Sequence, residues 1–145
     1  MPVIGGKEFT MDYGDNPPSL KLDLIVKSPV KGSHQQEKVN SVLVDTGSDY
    51  TILPNTVIQK LKLKWNGNTS MLSGWNKNAA PVKVKFYDAL VEIVGVDEFI
   101  IEVVGVDSDP LIGRNLINEI KVLMNGNTGK NGGVFEVATN NTFNL

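Results

Sequence analysis

Asp45 stands where an apolar run meets a turn. Val42-Leu43-Val44 leads into it, and Thr46-Gly47-Ser48-Asp49 follows at once. Asp is depleted in strands and Gly interrupts them, so a strand over Val42 to Val44 delivers a carboxylate to a tight turn at its end. A carboxylate flanked by an apolar run and two hydroxyl side chains is a candidate acid or base, its proton affinity set by burial and by the hydrogen bonds it accepts. Asp, Ser and Gly are also common turn residues, so this stretch alone fits a solvated turn equally well.

A second stretch shifts the balance. Asp109-Pro110-Leu111-Ile112-Gly113-Arg114-Asn115-Leu116-Ile117 places an apolar pair before Gly, then Arg-Asn, then further apolar residues. In this order the two stretches resemble the retropepsins, the single-domain aspartic proteases of retroviruses and related elements. In that family hydrophobic-Asp-Thr-Gly-(Ala/Ser)-Asp supplies the catalytic aspartate. A later hydrophobic-hydrophobic-Gly-Arg-(Asn/Asp)-hydrophobic segment runs from an inner strand into a short helix. Between the two, Val84-Lys85-Phe86-Tyr87-Asp88 followed by Val91-Glu92-Ile93 looks like the strand pair after the family's flap. The resemblance runs from about Leu20 to Val137 and implies an all-β fold: a closed retropepsin-like acid-protease barrel with one short C-terminal helix, homodimeric.

Hydrolysis of a peptide bond by water needs a base to activate the water and an acid to protonate the leaving nitrogen. Two carboxylates about 3 Å apart do both, because like charges that close share one proton. No second Asp in this chain is followed by Thr-Gly or Ser-Gly: Asp12 precedes Tyr13, Asp88 precedes Ala89, and Asp107 precedes Ser108-Asp109. One motif per chain then implies a dyad across a twofold axis, where an isologous dimer brings the same residue of both protomers together. The alternative is an inactive protein.

The resemblance also implies roles, position by position. Asp45 is the catalytic carboxylate, and Thr46 hydrogen-bonds across the axis. Gly47 lets the substrate backbone approach, and Ser48 donates a hydrogen bond toward the dyad. Asp49 pairs with Arg114 beneath the active-site loop, where a bidentate Arg–carboxylate contact gives orientation as well as energy. Leu111 and Ile112 lie on the inner strand; at least one is a candidate pocket residue, and core is the favoured role for Ile112. The flap equivalent is Met71 to Pro81, with the one glycine Gly74, and Trp75 there closes on substrate or packs on the barrel wall.

These side chains need elements to hold them. Leu20, Leu22, Leu24 and Val26 alternate with Lys21, Asp23, Ile25 and Lys27, the pattern of a half-buried strand. Lys31 to Lys38 is polar and reads as a solvated hairpin loop; it holds the one histidine, His34. Val39 to Val44 and Thr51 to Pro54 read as strands, with a brief helical turn at Val57, Ile58 and Leu61 and a loop over Asn66 to Ser70. Val82, Val84 and Phe86 alternate with lysines. Leu90 to Val94 and Glu98 to Val104 flank a hairpin turn at Gly95-Val96-Asp97, and Leu116 to Ile120 is the expected helix. Lys121 to Met124 and Val134 to Val137 flank a Gly/Asn-rich loop. That loop lacks the first Gly and the final Ser/Thr of a phosphate-binding loop. Many short strands with turn signals argue an all-β class.

At 145 residues the chain is read as one domain. Residues 1–19 read as a flexible N-terminal leader, 20–137 as the protease-like domain, and 138–145 as a tail that could add a dimer strand. A net charge of −2 without basic runs gives no footprint for nucleic acid or a membrane surface. Zero cysteines exclude disulfides and thiolate metal sites, and no metal or organic cofactor is implied. No secretory signal is recognisable at the start, so a cytoplasmic or virion/particle-associated location is expected. The function expected is an aspartic endopeptidase, homodimeric, acting on an extended peptide or polyprotein of viral or retrotransposon origin. A cellular or bacterial retropepsin-like protease with few substrates is one rival; a non-catalytic dimerisation or peptide-binding module on the same fold is another.

Overall fold

The computed structural model describes residues 7–10, 19–73, 80–125 and 134–139. Along the chain run β1 (Lys7–Thr10), β2 (Lys21–Lys27), β3 (Gln36–Val44), β4 (Thr51–Pro54), α1 (Asn55–Lys60), β5 (Trp65–Leu72), β6 (Val82–Ile93), β7 (Asp97–Val106), β8 (Leu111–Ile112), α2 (Arg114–Ile117), β9 (Ile120–Asn125) and β10 (Val134–Thr139). The fold is all-β, as expected.

β2 to β8, α-helices apart, form one sheet in the order β2-β3-β8-β4-β7-β6-β5, and β2 also pairs with β6. That last pairing closes a ring of six strands and leaves β5 appended to β6. Closure removes sheet edges that would otherwise present unpaired backbone groups. The ring is filled by alternate side chains. On β2 Leu22, Leu24 and Val26 face inward, and Val42, Leu53, Val91, Ile93, Val103, Ile112 and Leu116 complete the buried interior. A smaller cluster of Ile52, Val84, Phe86 and Val104 lies apart from it, with Tyr50, Leu72, Val106 and Leu111 packed against it.

The phase of β3 matters for the site. Val39 and Val42 are both buried although three residues apart, which strict alternation forbids. A bulge reconciles them: the β2–β3 register shifts between Leu22 and Leu24, and Ser41 takes φ +54°. The Asp23 carboxylate accepts the Ser41 N–H at 2.9 Å, supplying the partner that the broken ladder no longer provides.

Several expectations are corrected. Lys7–Thr10, placed in the leader, form β1 and pair antiparallel with β10, Phe9 opposite Phe135; polar and apolar residues alternate too briefly there to read as a strand without their partner. The last strand extends to Thr139, past the expected boundary at 137. The expected helix over Leu116 to Ile120 is instead α2 over Arg114–Ile117, and Ile120 opens β9 by pairing with Thr139. Leu116 and Ile120 are both buried, and a spacing of four residues puts side chains on one face of a helix or of a strand, so spacing alone did not separate the two. α1, expected as a brief turn, is the longer of the two helices. Asn66 to Ser70 is not a loop but the body of β5, a largely exposed strand whose polar side chains conceal its periodicity. The runs 82–86 and 90–94 join in one strand, β6, which ends at Ile93. Segments 1–6, 11–18 and 140–145, the tip of the flap equivalent with Trp75, and the loop 126–133 lie outside the described residues.

Candidate active site

β8 is two residues long, yet it decides where Asp45 goes. It lies between β3 and β4, parallel to β3 with Val44 opposite Ile112, and it meets β4 at Ile52–Leu111. The ladder continues into the loop, where the Asp45 N–H donates to the Ile112 carbonyl at 2.9 Å. The turn then closes on its own carboxylate. Gly47 N–H donates to Asp45 Oδ1 at 2.9 Å, and Ser48 N–H donates to the Asp45 carbonyl at 3.1 Å. This is an Asx turn built on a strand end. It leaves Asp45 half-exposed. A Cβ at Gly47 would stand 3.2 Å from Asp45 Oδ1, so a larger residue would crowd the carboxylate itself.

The second sequence motif holds this loop from below. The first N–H groups of a helix lack intrahelical partners. Here Arg114 N–H donates to the Ser48 carbonyl at 2.8 Å, and Asn115 N–H donates to the Asp49 carbonyl at 3.3 Å. Thr51 is the buried polar residue at the centre of the junction, with 0% exposure. Its hydroxyl accepts the Gly113 N–H at 3.1 Å and donates to Asn115 Oδ1 at 2.9 Å. Asn115 Oδ1 also accepts the Thr51 N–H at 2.9 Å, while its amide nitrogen donates to the Glu102 carbonyl at 2.6 Å. Gly113 is required by close approach: a Cβ there would fall 2.2 Å from the Tyr50 carbonyl oxygen. The motif pair thus corresponds to one hydrogen-bonded unit in three dimensions.

The sequence-predicted residues sort as follows. Asp45, Gly47, Ser48, Asp49 and Leu111 line a cleft of about 440 Å³ between the loop and the C-terminal end of β5. Ile112 is fully buried in the core, and Thr46 is exposed on the turn. Arg114 and Asp49 form an ion pair whose side chains are 54% and 65% exposed, so in the single chain the pair is open to solvent. Ser48 departs from expectation more clearly. Its hydroxyl donates to the Tyr50 carbonyl at 2.8 Å, so its one hydrogen is committed to the backbone and not to the Asp45 carboxylate. Trp75 lies outside the described residues.

Reading the sequence missed Tyr50, Ile52 and Ser70, which also line the cleft, and named Met71, Leu72 and Ser73 only as part of the flap equivalent; it also missed Thr51 and Asn115, which brace it. Thr51 looks like any β-branched strand residue, and only its burial reveals the network. Asn115 was visible inside the Gly-Arg-Asn segment without a role attached. Among the described residues no group of three or more His, Cys, Asp or Glu is placed to hold a metal ion.

No family model matches the chain, and no curated protein matches it in sequence. Among solved structures the chain is similar to the EIAV protease complexed with the inhibitor HBY-793, at 15% sequence identity and a TM-score of 0.49, over 76% of this chain and 92% of that one.

Proposed function

We propose that this chain is one half of an aspartic endopeptidase whose catalytic dyad is Asp45 and its symmetry mate in a homodimer. The observation that carries the reading is the setting of Asp45: a carboxylate held by a strand end and its own Asx turn, open to a cleft. The other carboxylate lining that cleft, Asp49, is engaged by Arg114 and is a poor candidate for sharing a proton with Asp45. A second copy supplies the missing group.

In this reading an extended peptide lies in the cleft under the β5–β6 hairpin. The ionised member of the dyad takes a proton from water as the water oxygen bonds to the peptide carbonyl carbon, and the protonated member gives its proton to the carbonyl oxygen, so a tetrahedral diol forms. The carboxyl that gained the water proton then delivers it to the amide nitrogen. As the C–N bond breaks, one diol hydroxyl returns its proton to the ionised carboxylate, one carboxyl and one amine product form, and the shared proton is restored. The loop residues hold the carboxylate. In this reading Thr46, exposed beside it, meets its mate in the second copy. The motif resemblance extends the reading to processing of a viral or retroelement polyprotein.

Incubation of the chain with a diverse peptide library, with and without a transition-state-mimicking aspartic protease inhibitor, tests the proposal. Inhibitor-sensitive cleavage in the wild type and none in a folded Asp45→Asn variant is expected. Cleavage that survives Asp45→Asn would refute it. Peptide binding without cleavage in the dimer would favour the non-catalytic module instead.

A further inference from the structure

Four residues belong at once to the cleft and to the smaller apolar cluster: Tyr50, Ile52, Leu72 and Leu111. Phe86, Val84 and Val104 belong only to the cluster, each at most 4% exposed. The four shared residues therefore form a wall, with the cleft on one side and packed apolar side chains on the other. Tyr50 is the largest of them. Its ring meets the Phe86 ring edge-on, with centroids 4.7 Å apart and planes at 73°, a favourable arrangement that fixes the ring in place. Met71 also lines the cleft, with 59% exposure, a large apolar side chain that the core does not account for.

The geometry points to Tyr50 as the residue that sets which substrate side chain the cleft accepts, and to an aliphatic side chain of valine or leucine size as the one it takes. This deepens the endopeptidase reading and rests on it. The wall offers apolar surface to an aliphatic group, and Met71 adds an exposed apolar side chain to the same cleft. The Tyr50 ring occupies the space through which an aromatic side chain would reach Phe86. Acidic side chains are disfavoured because the Asp45 carboxylate lines the same cleft and the Arg114 cation is already engaged by Asp49.

The test uses peptides identical except at each residue flanking the scissile bond, which is varied through Ala, Val, Leu, Phe and Glu. At one such position the wild type should prefer Val and Leu over Phe and Glu in kcat/KM. Tyr50→Val should raise Phe relative to Val by about tenfold or more, the scale of discrimination a pocket wall gives. Tyr50→Phe keeps the ring and should keep the wild-type ratios. Tyr50→Trp should lower Leu relative to Ala, and it supplies the reading if Tyr50→Val does not fold. The same peptides are titrated against each Tyr50 variant carrying Asp45→Asn, so that affinity is read without hydrolysis. Absence of any Asp45-dependent cleavage, alongside affinities that still follow Tyr50, would reject the endopeptidase reading while upholding the wall. Ratios that do not respond to Val or Trp at position 50, in cleavage and in affinity alike, would overturn the inference.

Discussion

Asp45 has its backbone N–H on Ile112 and its own Oδ1 on the Gly47 N–H, so the loop fixes the carboxylate with main-chain groups. Side chains around it have other work. Because the Ser48 hydroxyl hydrogen goes to the Tyr50 carbonyl, Ser48→Ala should leave both limbs of the kcat/KM profile against pH where they are. Movement of either limb would show that the hydroxyl turns toward the carboxylates. The Asp49–Arg114 pair is equally specific in its consequence. Both side chains are more than half exposed, and an exposed ion pair contributes about 0–1 kcal/mol. Arg114→Ala should therefore change the unfolding free energy of the single chain by less than about 1 kcal/mol, a bound set by solvent screening. A loss several times larger in urea melts at protein concentrations too low for association would mean that the pair is buried in solution.

At the scale of elements, the decisive junction is where β3, β4, β8 and α2 meet. A buried donor left without an acceptor costs about 1–3 kcal/mol. Thr51→Val keeps the shape of the side chain and removes the oxygen that the Gly113 N–H uses, so the variant should lose stability on that scale. Thr51→Ser keeps the hydroxyl and should lose much less. Equal melting of the two variants would show that water or backbone movement replaces the bond. The same junction explains why the two motifs occur together. A two-residue strand and a four-residue helix are too short to be stable alone, and each is held by the loop that it holds.

For the whole molecule, the described residues bring one other carboxylate to the cleft with Asp45, and that one, Asp49, is engaged by Arg114. If the dyad forms between copies, specific activity should fall on dilution as the dimer dissociates, and sedimentation should show the active species at twice the chain mass. An active species sedimenting as a single chain would contradict the proposal. The terminal sheet bears on the same question. The chain pairs β1 with its own β10, which also pairs with β9, so each copy carries a three-stranded sheet of its own, and Val137 and Ile120 bury it against the barrel.

The sequence by itself determined the all-β class and the Asp45 turn, and only the family resemblance linked that turn to the Gly113-Arg114-Asn115 segment. The first two depend on local chemistry: alternation over β2, and an aspartate and a glycine at a strand end. Tertiary structure decided what depends on partners distant in sequence. The Ser48 hydroxyl chose a backbone carbonyl over the carboxylate, since the turn brings Tyr50 within reach. The exposed strand β5 and the short β1 exist because β6 and β10 offer them a ladder. Tyr50 became a wall because β6 brings Phe86 against it, a contact across 36 residues that no periodicity in the chain encodes.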